Sequence, residues 1–187
     1  MKVILALSLL ITVSCRQNKA EEVDYTSAGD TLRIAAKQGA AENESQQIQT
    51  GNTTPQEVID FAKTLIGTPY KYGSADPAQG FDCSGFITCV FNHFNIAVPR
   101  TSAGFTNVAK EIRPEEAKAG DIILFTGTDS AVRIVGHMGI IISPYDKGIQ
   151  FIHSTSGKAN GVTITPFNGY YSGRFVKVIR VFRQNNN

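Results

Sequence analysis

Cys83 is the residue of this chain whose type and position best suit nucleophilic chemistry. It follows Phe81-Asp82 at a turn and precedes an apolar, helix-like segment from Phe86 to Phe94. In the first turn of a helix, unpaired backbone N–H groups and the positive end of the helix dipole favour the thiolate, which is the nucleophilic form. The other interpretation is a small packing residue, because free cysteines are among the most buried residue types.

Two histidines downstream of Cys83 could supply the proton chemistry. His137 lies in Gly136-His137-Met138-Gly139 and His153 in Phe151-Ile152-His153-Ser154, both in strand-like runs. If the two strands pair antiparallel, one imidazole can hydrogen-bond the other. In a triad, Cys83 then attacks, His137 accepts and returns the proton, and His153 orients His137. Taken singly, each histidine is better interpreted as a structural residue, and only the three residues together favour a triad. His93 is about 15 Å along the helix from Cys83, too far to be the base.

Helix signals precede the strands in this sequence. Thr54, Pro55 and Glu57 predict a helix start with a capping box. The helix is predicted to have an apolar face and to end at Gly67-Thr68-Pro69. The cysteine helix is predicted to run to about Asn95, followed by a loop with a short helix around 102–109.

The second half of the chain has the period of two that is typical of strands. We predict an α+β fold in which N-terminal helices, including the nucleophile helix, pack on an antiparallel meander of about five strands. The strands are expected at Asp121–Thr126, Arg133–Ser143, Gly148–His153, Gly161–Pro166 and Arg174–Phe182.

The N-terminus has the pattern of an export signal. Lys2 is followed by an apolar run from Val3 to Val13, which at about 11 residues is too short to span a bilayer. Ser14-Cys15 resembles the lipobox of bacterial lipoproteins, so we expect residues 1–14 to be a removed signal and Cys15 to be lipid-modified. A plain secretory signal is the alternative. Residues 15–52 are polar and predict a flexible linker, and the folded domain is expected at 53–187.

Composition and cysteine spacing narrow the classes of function. The 187 residues carry a net charge of only +2, which does not suggest a nucleic-acid partner. Cys83 and Cys89 would point to different faces of one helix, which excludes a disulfide between them. An exported chain that keeps an unpaired thiol at a helix start therefore suggests a reactive thiol. Cys89 is interpreted as core packing.

Seven sequence blocks from about Pro55 to the end together resemble the NlpC-type cell-wall peptidases. No single block is specific to this family, but the occurrence of all seven in this order is. The blocks are Gly67–Gly73, Phe81–Phe86, Val98–Ser102, Ala119–Phe125, Gly136–Ile140, Phe151–Ser156 and the closing Arg174–Val181.

The resemblance implies a papain-like fold and hydrolysis of peptidoglycan stem peptides, commonly between D-glutamate and the diamino acid. It implies that Cys83 is the nucleophile, His137 the base and His153 the third polar residue. Tyr70 matches a tyrosine that lines the oxyanion region. Asp82 and Ser84 match positions that in some members bind the free amino end of the stem peptide, although Asp82 is equally well interpreted as a helix N-cap.

These patterns lead us to expect a monomer without cofactors, anchored through a lipid on Cys15 and facing the periplasm. An amidase that cuts between muramic acid and alanine, or an acyltransferase, would use the same fold. A lipoprotein that only binds peptidoglycan is another alternative. A zinc site formed by Cys83, His137 and His153 is a further one, but the chain has none of the close ligand pairs that such sites usually carry.

Overall fold

The computed structural model describes residues 48–186. The predicted signal, the lipidation site at Cys15 and most of the predicted linker lie outside the described residues. Within residues 48–186, no helix has the length and apolar character needed to cross a membrane. Ile48, the first described residue, is buried in the core and donates its N–H to the carbonyl of Val108. It lies five residues ahead of the predicted boundary at 53.

Of the three α-helices in residues 48–186, two begin where the sequence predicts. Helix α1 (Pro55–Thr64) has the predicted capping box, in which Glu57 donates its N–H to the Thr54 hydroxyl and its carboxylate accepts from the Thr54 N–H. Helix α2 (Cys83–His93) has Asp82 as its N-cap. A third helix, α3 (Gly169–Arg174), was not expected. The short helix predicted around residues 102–109 is a 3-10 helix, Ser102–Asn107.

The largest other element in the described part of the chain is a sheet of six antiparallel strands, which confirms the α+β class. A hairpin of two short strands, β1 (Ala75–Asp76) and β2 (Gly80–Phe81), comes directly before α2. The strands of the large sheet have the order β3-β8-β4-β5-β6-β7. They are β3 (Lys110–Ile112), β4 (Ile122–Thr126), β5 (Val135–Ser143), β6 (Gln150–Thr155), β7 (Gly161–Pro166) and β8 (Phe175–Arg180).

The sheet differs from the predicted meander in two respects. Strands β4 to β7 form the meander, but β8 returns to the far side of β4 and also pairs with the unpredicted edge strand β3. Adjacent residues Val178 and Ile179 of β8 are both fully buried, so both faces of this strand are covered. Ile179 belongs to the core cluster on one face and Val178 to the cluster on the other, while the neighbours β3 and β4 leave β8 no exposed edge.

The two faces of the sheet have different coverings. Helices α1 and α2 pack on the face that carries Met138, Ile140 and Ile152. The opposite face carries Phe125 and Phe151, and Tyr171 of α3 packs against them. The histidines project from this second face, because His137 is opposite Phe125 in the β4–β5 ladder and His153 follows Phe151 by two residues.

Candidate active site

Cys83 is the first residue of α2, as the turn before the apolar segment predicts. Its side chain is partly buried, and Sγ lies 3.8 Å from the carbonyl oxygen of Gly136, the residue before His137. The start of α2 therefore meets strand β5 at the position of the predicted base. Cys89 is also partly buried and packs against the core, as predicted.

The surroundings of Cys83 raise the pKa of its thiol. Burial is the largest cause, and the neighbouring Asp82 carboxylate adds to it. The backbone N–H groups of Ser84 and Cys83, together with Arg100, act in the opposite direction but do not outweigh burial. The shift is opposite to the one expected from a helix start alone. At neutral pH, the resting cysteine is therefore a thiol.

His137 and His153 form a hydrogen-bonded pair that extends to a third residue. Nε2 of His137 is 2.8 Å from Nδ1 of His153, and Nε2 of His153 is 2.9 Å from Oγ1 of Thr165 on β7. If His137 keeps Nδ1 unprotonated to accept a proton, its Nε2–H donates to His153. Nε2–H of His153 then donates to Thr165, so one set of tautomers satisfies the whole chain.

Both histidines are neutral in the folded protein. Burial lowers the pKa of His137 well below its usual range, and the electrostatic interactions with His153 and Arg174 lower it further. Burial and Arg174 lower the pKa of His153 to about 4. A neutral His137 can accept a proton from a thiol, which is the task of a general base. The resting pair is thus a thiol and an imidazole rather than two ions.

Tyr70 is attached to the start of α2 through backbone hydrogen bonds. Phe81 donates its N–H to Pro69 and accepts from Lys71, each at 3.0 Å, on either side of Tyr70. Asp82 donates to the carbonyl of Ser74, also at 3.0 Å. This carbonyl lies so close to Gly85 of α2 that a Cβ there would be 2.0 Å from its oxygen. The Tyr70 loop and the cysteine helix are therefore in direct contact, which only glycine permits at this position.

Asp82 serves as the N-cap of α2 and is also paired with Arg100. Its Oδ1 accepts from the N–H of Gly85, and its two carboxylate oxygens accept from both terminal nitrogens of Arg100, at 3.1 and 2.9 Å. Arg100 also donates to the Ser84 hydroxyl at 3.1 Å. The N-cap interpretation is confirmed, and the two predicted amine-binding side chains already share a cationic partner.

Cys83 lies at the junction of two adjoining cavities, of about 950 Å³ and about 450 Å³. Tyr70, Cys83 and Gly136 line both of them. His137 lines only the larger cavity, and the group Asp82, Ser84 and Arg100 lines only the smaller. An extended substrate could therefore occupy both cavities, with its reactive bond at the sulfur.

Sequence and structure comparisons place the chain in a family. A sequence model of the NlpC/P60 family matches residues 67–180, more than half of the chain. The chain belongs to the NlpC/P60 family. This membership confirms the resemblance seen in the sequence.

Three similar proteins illustrate the relationship. The gamma-DL-glutamyl hydrolase of Bacillus subtilis is 33% identical over 137 residues, which cover 72% of this NlpC/P60 chain and 32% of that protein. The bifunctional muramidase/DL-endopeptidase CwlT of the same organism is 34% identical over 112 residues, covering 53% of this chain and 34% of the other. A solved structure from Staphylococcus aureus, described as similar to lipoprotein and of the NLP/P60 family, has 30% identity and a TM-score of 0.60, covering 71% and 43%. This chain thus spans about a third of the two curated relatives' length.

The NlpC/P60 domain brings most of the predicted site residues together. Cys83, His137 and Tyr70 line one cavity, and His153 contacts His137 from behind it. Asp82 and Ser84 lie in the adjoining cavity. Thr165 was missed, because a threonine in a strand carries no pattern that distinguishes it from a packing residue.

A zinc site receives no support from the geometry of the NlpC/P60 domain. Among residues 48–186, no three His, Cys, Asp or Glu side chains are grouped so that they could hold a metal ion. In particular, both ring nitrogens of His153 already form hydrogen bonds, one with His137 and the other with Thr165. These bonds are the ones expected of an orienting residue.

Proposed function

We propose that this NlpC/P60 protein is a peptidoglycan hydrolase, a cysteine endopeptidase that cleaves stem peptides between D-glutamate and the diamino acid. The observation that carries the proposal is the position of Cys83, which shares a cavity with a neutral His137 hydrogen-bonded to His153. The names of the relatives support the bond, since one is a gamma-DL-glutamyl hydrolase and another a DL-endopeptidase.

The proposed reaction begins with attack of the Cys83 sulfur on the scissile carbonyl carbon. Because the thiol is protonated at rest, its proton passes to His137 as the C–S bond forms. The developing oxyanion is stabilised by the backbone N–H of Cys83 and the hydroxyl of Tyr70, and a contact of this kind contributes about 3 kcal/mol. His137 then protonates the leaving amine, and the C–N bond breaks to give a thioester. Water, deprotonated by His137, then attacks the thioester; the C–S bond breaks, the carboxylic acid leaves, and His137 returns its proton to the Cys83 sulfur.

The proton transfer assigns the two cavities to the two sides of the scissile bond. The leaving nitrogen must lie within reach of His137, which lines only the larger cavity. The diamino acid therefore occupies the larger cavity. The D-glutamyl side occupies the smaller cavity beside Asp82, Ser84 and Arg100.

Binding of a free stem-peptide amine at Asp82 and Ser84 is part of the proposal for the smaller cavity. Arg100 bridges both side chains in the free protein. An incoming ammonium group would compete with this guanidinium for the carboxylate of Asp82. We therefore expect a substrate with a free amino end to bind only when Arg100 releases the carboxylate of Asp82.

Export and lipid anchoring complete the proposal, with the protein placed in the cell envelope as a monomer. A peptidoglycan substrate requires an exported enzyme, and the Ser14-Cys15 sequence supplies an anchor. Labelling cells with a radioactive fatty acid tests the anchor. Label is expected on the wild-type chain and not on Cys15→Ala, whereas label on both would contradict the assignment.

Digestion of purified sacculi tests the activity directly. Residues 16–187 are incubated with sacculi, and the new ends are identified by mass spectrometry. We expect diamino acid amines to be released by the wild type and by Cys89→Ala, but not by Cys83→Ala or His137→Ala. Intact stem peptides with a free alanine amine would indicate the amidase instead. Products in which the new end is joined to an amine added to the digest would indicate an acyltransferase. Binding of the protein to sacculi without any new ends would indicate a non-catalytic protein.

A further inference from the structure

Arg174 is a buried cation that has no anionic partner in the part of the chain that the structure describes. It is the last residue of α3, and its exposed fraction is only 8%. The ion pairs within residues 48–186 involve Arg100, Arg113, Lys177 and Arg180, but not Arg174. Burying a charge without a counter-charge is costly, so a partner from outside the protein would stabilise it.

The bonds of Arg174 fix its position without neutralising its charge. Nε donates to the carbonyl of Gly127 at 2.8 Å, and one terminal nitrogen donates to the carbonyl of Thr126 at 2.9 Å. The other donates to the hydroxyl of Tyr170 at 2.8 Å. All three acceptors are neutral, and further guanidinium N–H groups are left for another acceptor. The cation is therefore held rigidly, which reduces the entropy lost when a ligand binds.

The cavity beside Arg174 is positively charged. Arg174 lines the larger cavity together with Lys158, and none of the described residues that line it is an aspartate or glutamate. The smaller cavity differs, because its Arg100 is paired with Asp82. A positive cavity with low-dielectric walls attracts an anion, and a guanidinium matches the geometry of a carboxylate.

We propose that Arg174 binds a carboxylate of the leaving diamino acid. The inference rests on the proposed function, which places the leaving amine in this cavity. Two carboxylates of a stem peptide could be the ligand. One is the second carboxylate of a diamino diacid such as diaminopimelate, and the other is the C-terminal carboxylate when that residue ends the peptide.

Three synthetic tripeptides separate these sources. Each contains L-alanine, γ-linked D-glutamate and diaminopimelate; one is unmodified, one is amidated at the C-terminal carboxylate and one at the second carboxylate. For the wild type, we expect amidation of the carboxylate that Arg174 binds, but not of the other one, to lower kcat/KM about ten- to hundredfold. This is the effect of losing a charge-assisted hydrogen bond. Arg174→Gln should cleave that amidated peptide and the unmodified one equally, and Arg174→Lys should retain part of the preference.

A matched control removes the same charge elsewhere. Arg113→Gln changes an exposed arginine outside both cavities and should keep the wild-type preference. Equal cleavage of all three peptides by the wild type would overturn the proposal, as would a preference that persists in Arg174→Gln. If Arg174→Gln does not fold, Lys158→Gln decides the matter: a surviving preference supports Arg174, and a lost one overturns its role.

A binding measurement separates this inference from the proposed function. The dissociation constants of the three peptides are measured by calorimetry on Cys83→Ala, which needs no turnover. Tighter binding of the unmodified peptide than of one amidated peptide supports the Arg174 site, even if the wild type cuts a different bond. Equal binding of all three peptides overturns it. Failure of the wild type to release diaminopimelate would instead count against the proposed bond.

Discussion

His137 and His153 are diagonal neighbours on strands β5 and β6 rather than directly opposite each other. The ladder pairs Ile140 with Ile152, so its next step places Gly139 beside His153 and leaves His137 two residues further along. The two rings meet at an angle of 79°, with Nε2 and Nδ1 2.8 Å apart. Diagonal neighbours are within reach of ring side chains. Because this geometry uses Nε2 of His137, the proposed proton exchange with Cys83 falls to Nδ1.

Replacing His153 should lower turnover without removing the nucleophile. His153→Ala leaves Nε2–H of His137 without its acceptor, and we expect kcat to fall by about 10²–10⁴-fold. The oxygen of an asparagine can take the place of Nδ1, so His153→Asn should retain more activity than His153→Ala. Steady-state kinetics on a soluble stem peptide measure both variants. Equal activity of wild type and His153→Ala would contradict the role assigned to this residue.

Thr165 is expected to act through His153. Thr165→Val keeps the shape of the side chain but removes the acceptor 2.9 Å from Nε2 of His153. We expect kcat to fall about two- to tenfold with KM little changed, which is the net effect of one hydrogen bond. Thr165→Ser should restore activity. As a matched control, Thr64→Val alters a threonine of α1 and should leave kcat unchanged. A purely structural role would give Thr165→Ser and Thr165→Val the same activity.

Gly139 is predicted to be essential for the position of His153. A Cβ at this residue would lie 2.6 Å from Phe151 Cδ2, 2.9 Å from the Ile152 oxygen and 3.2 Å from the His153 Cβ. Gly139→Ala should therefore destabilise the protein by about 1–3 kcal/mol and reduce activity, since the strands must separate. Gly173→Ala on α3 has open space around it and should be tolerated. Urea unfolding compares the two, and equal stability of both variants would refute the prediction.

Acid should destabilise the protein between about pH 6.5 and pH 4. In this window, the unfolded chain protonates both histidines, whereas burial holds the pKa of His153 at about 4 and that of His137 well below its usual range. The unfolded state then binds more protons, so the free energy of unfolding falls as pH falls, by up to about 1.4 kcal/mol per pH unit for each histidine. Unfolding at several pH values measures the slope, which His153→Asn should reduce. A flat profile would argue against two buried neutral histidines.

Alkylation of Cys83 should report a protonated thiol in the free enzyme. Because burial and Asp82 raise the pKa of this thiol, the rate with iodoacetamide should still increase above about pH 8.5, the ordinary cysteine value. Residues 16–187 carrying Cys89→Ala leave one thiol to follow by mass spectrometry. A rate that is already constant below pH 7 would instead indicate a resting thiolate–imidazolium pair.

The elements that could be predicted from the sequence are those with a local physical signal. The capping box at Thr54 and Glu57 and the β-branched and aromatic runs of β4 to β7 depend on neighbouring residues only. Strand β3 has three residues, of which only Ile112 is buried, so it is too short to show a period. The position of β8 depends on its pairing with β4 and β3, which no local pattern contains.

The candidate site shows the same division. In the sequence, the glycines around His137 indicate the position of this histidine, and the turn before Cys83 indicates the position of the cysteine. The pKa of Cys83 could not be predicted, because a helix start favours a thiolate whereas burial and the Asp82 carboxylate favour the thiol, and burial is known only from packing. The charge of Arg174 is visible in the sequence, but its lack of an acidic partner among the described residues is a tertiary property.

The contact between Gly85 and the carbonyl of Ser74 has a consequence for the timing of catalysis. It joins the Tyr70 loop to the helix that carries Cys83, so the tyrosine is already placed when the chain has folded. An enzyme whose loop closes over its substrate spends part of each cycle on that movement. With the Tyr70 loop already bonded to the cysteine helix, we expect product formation to start without a lag on mixing with substrate.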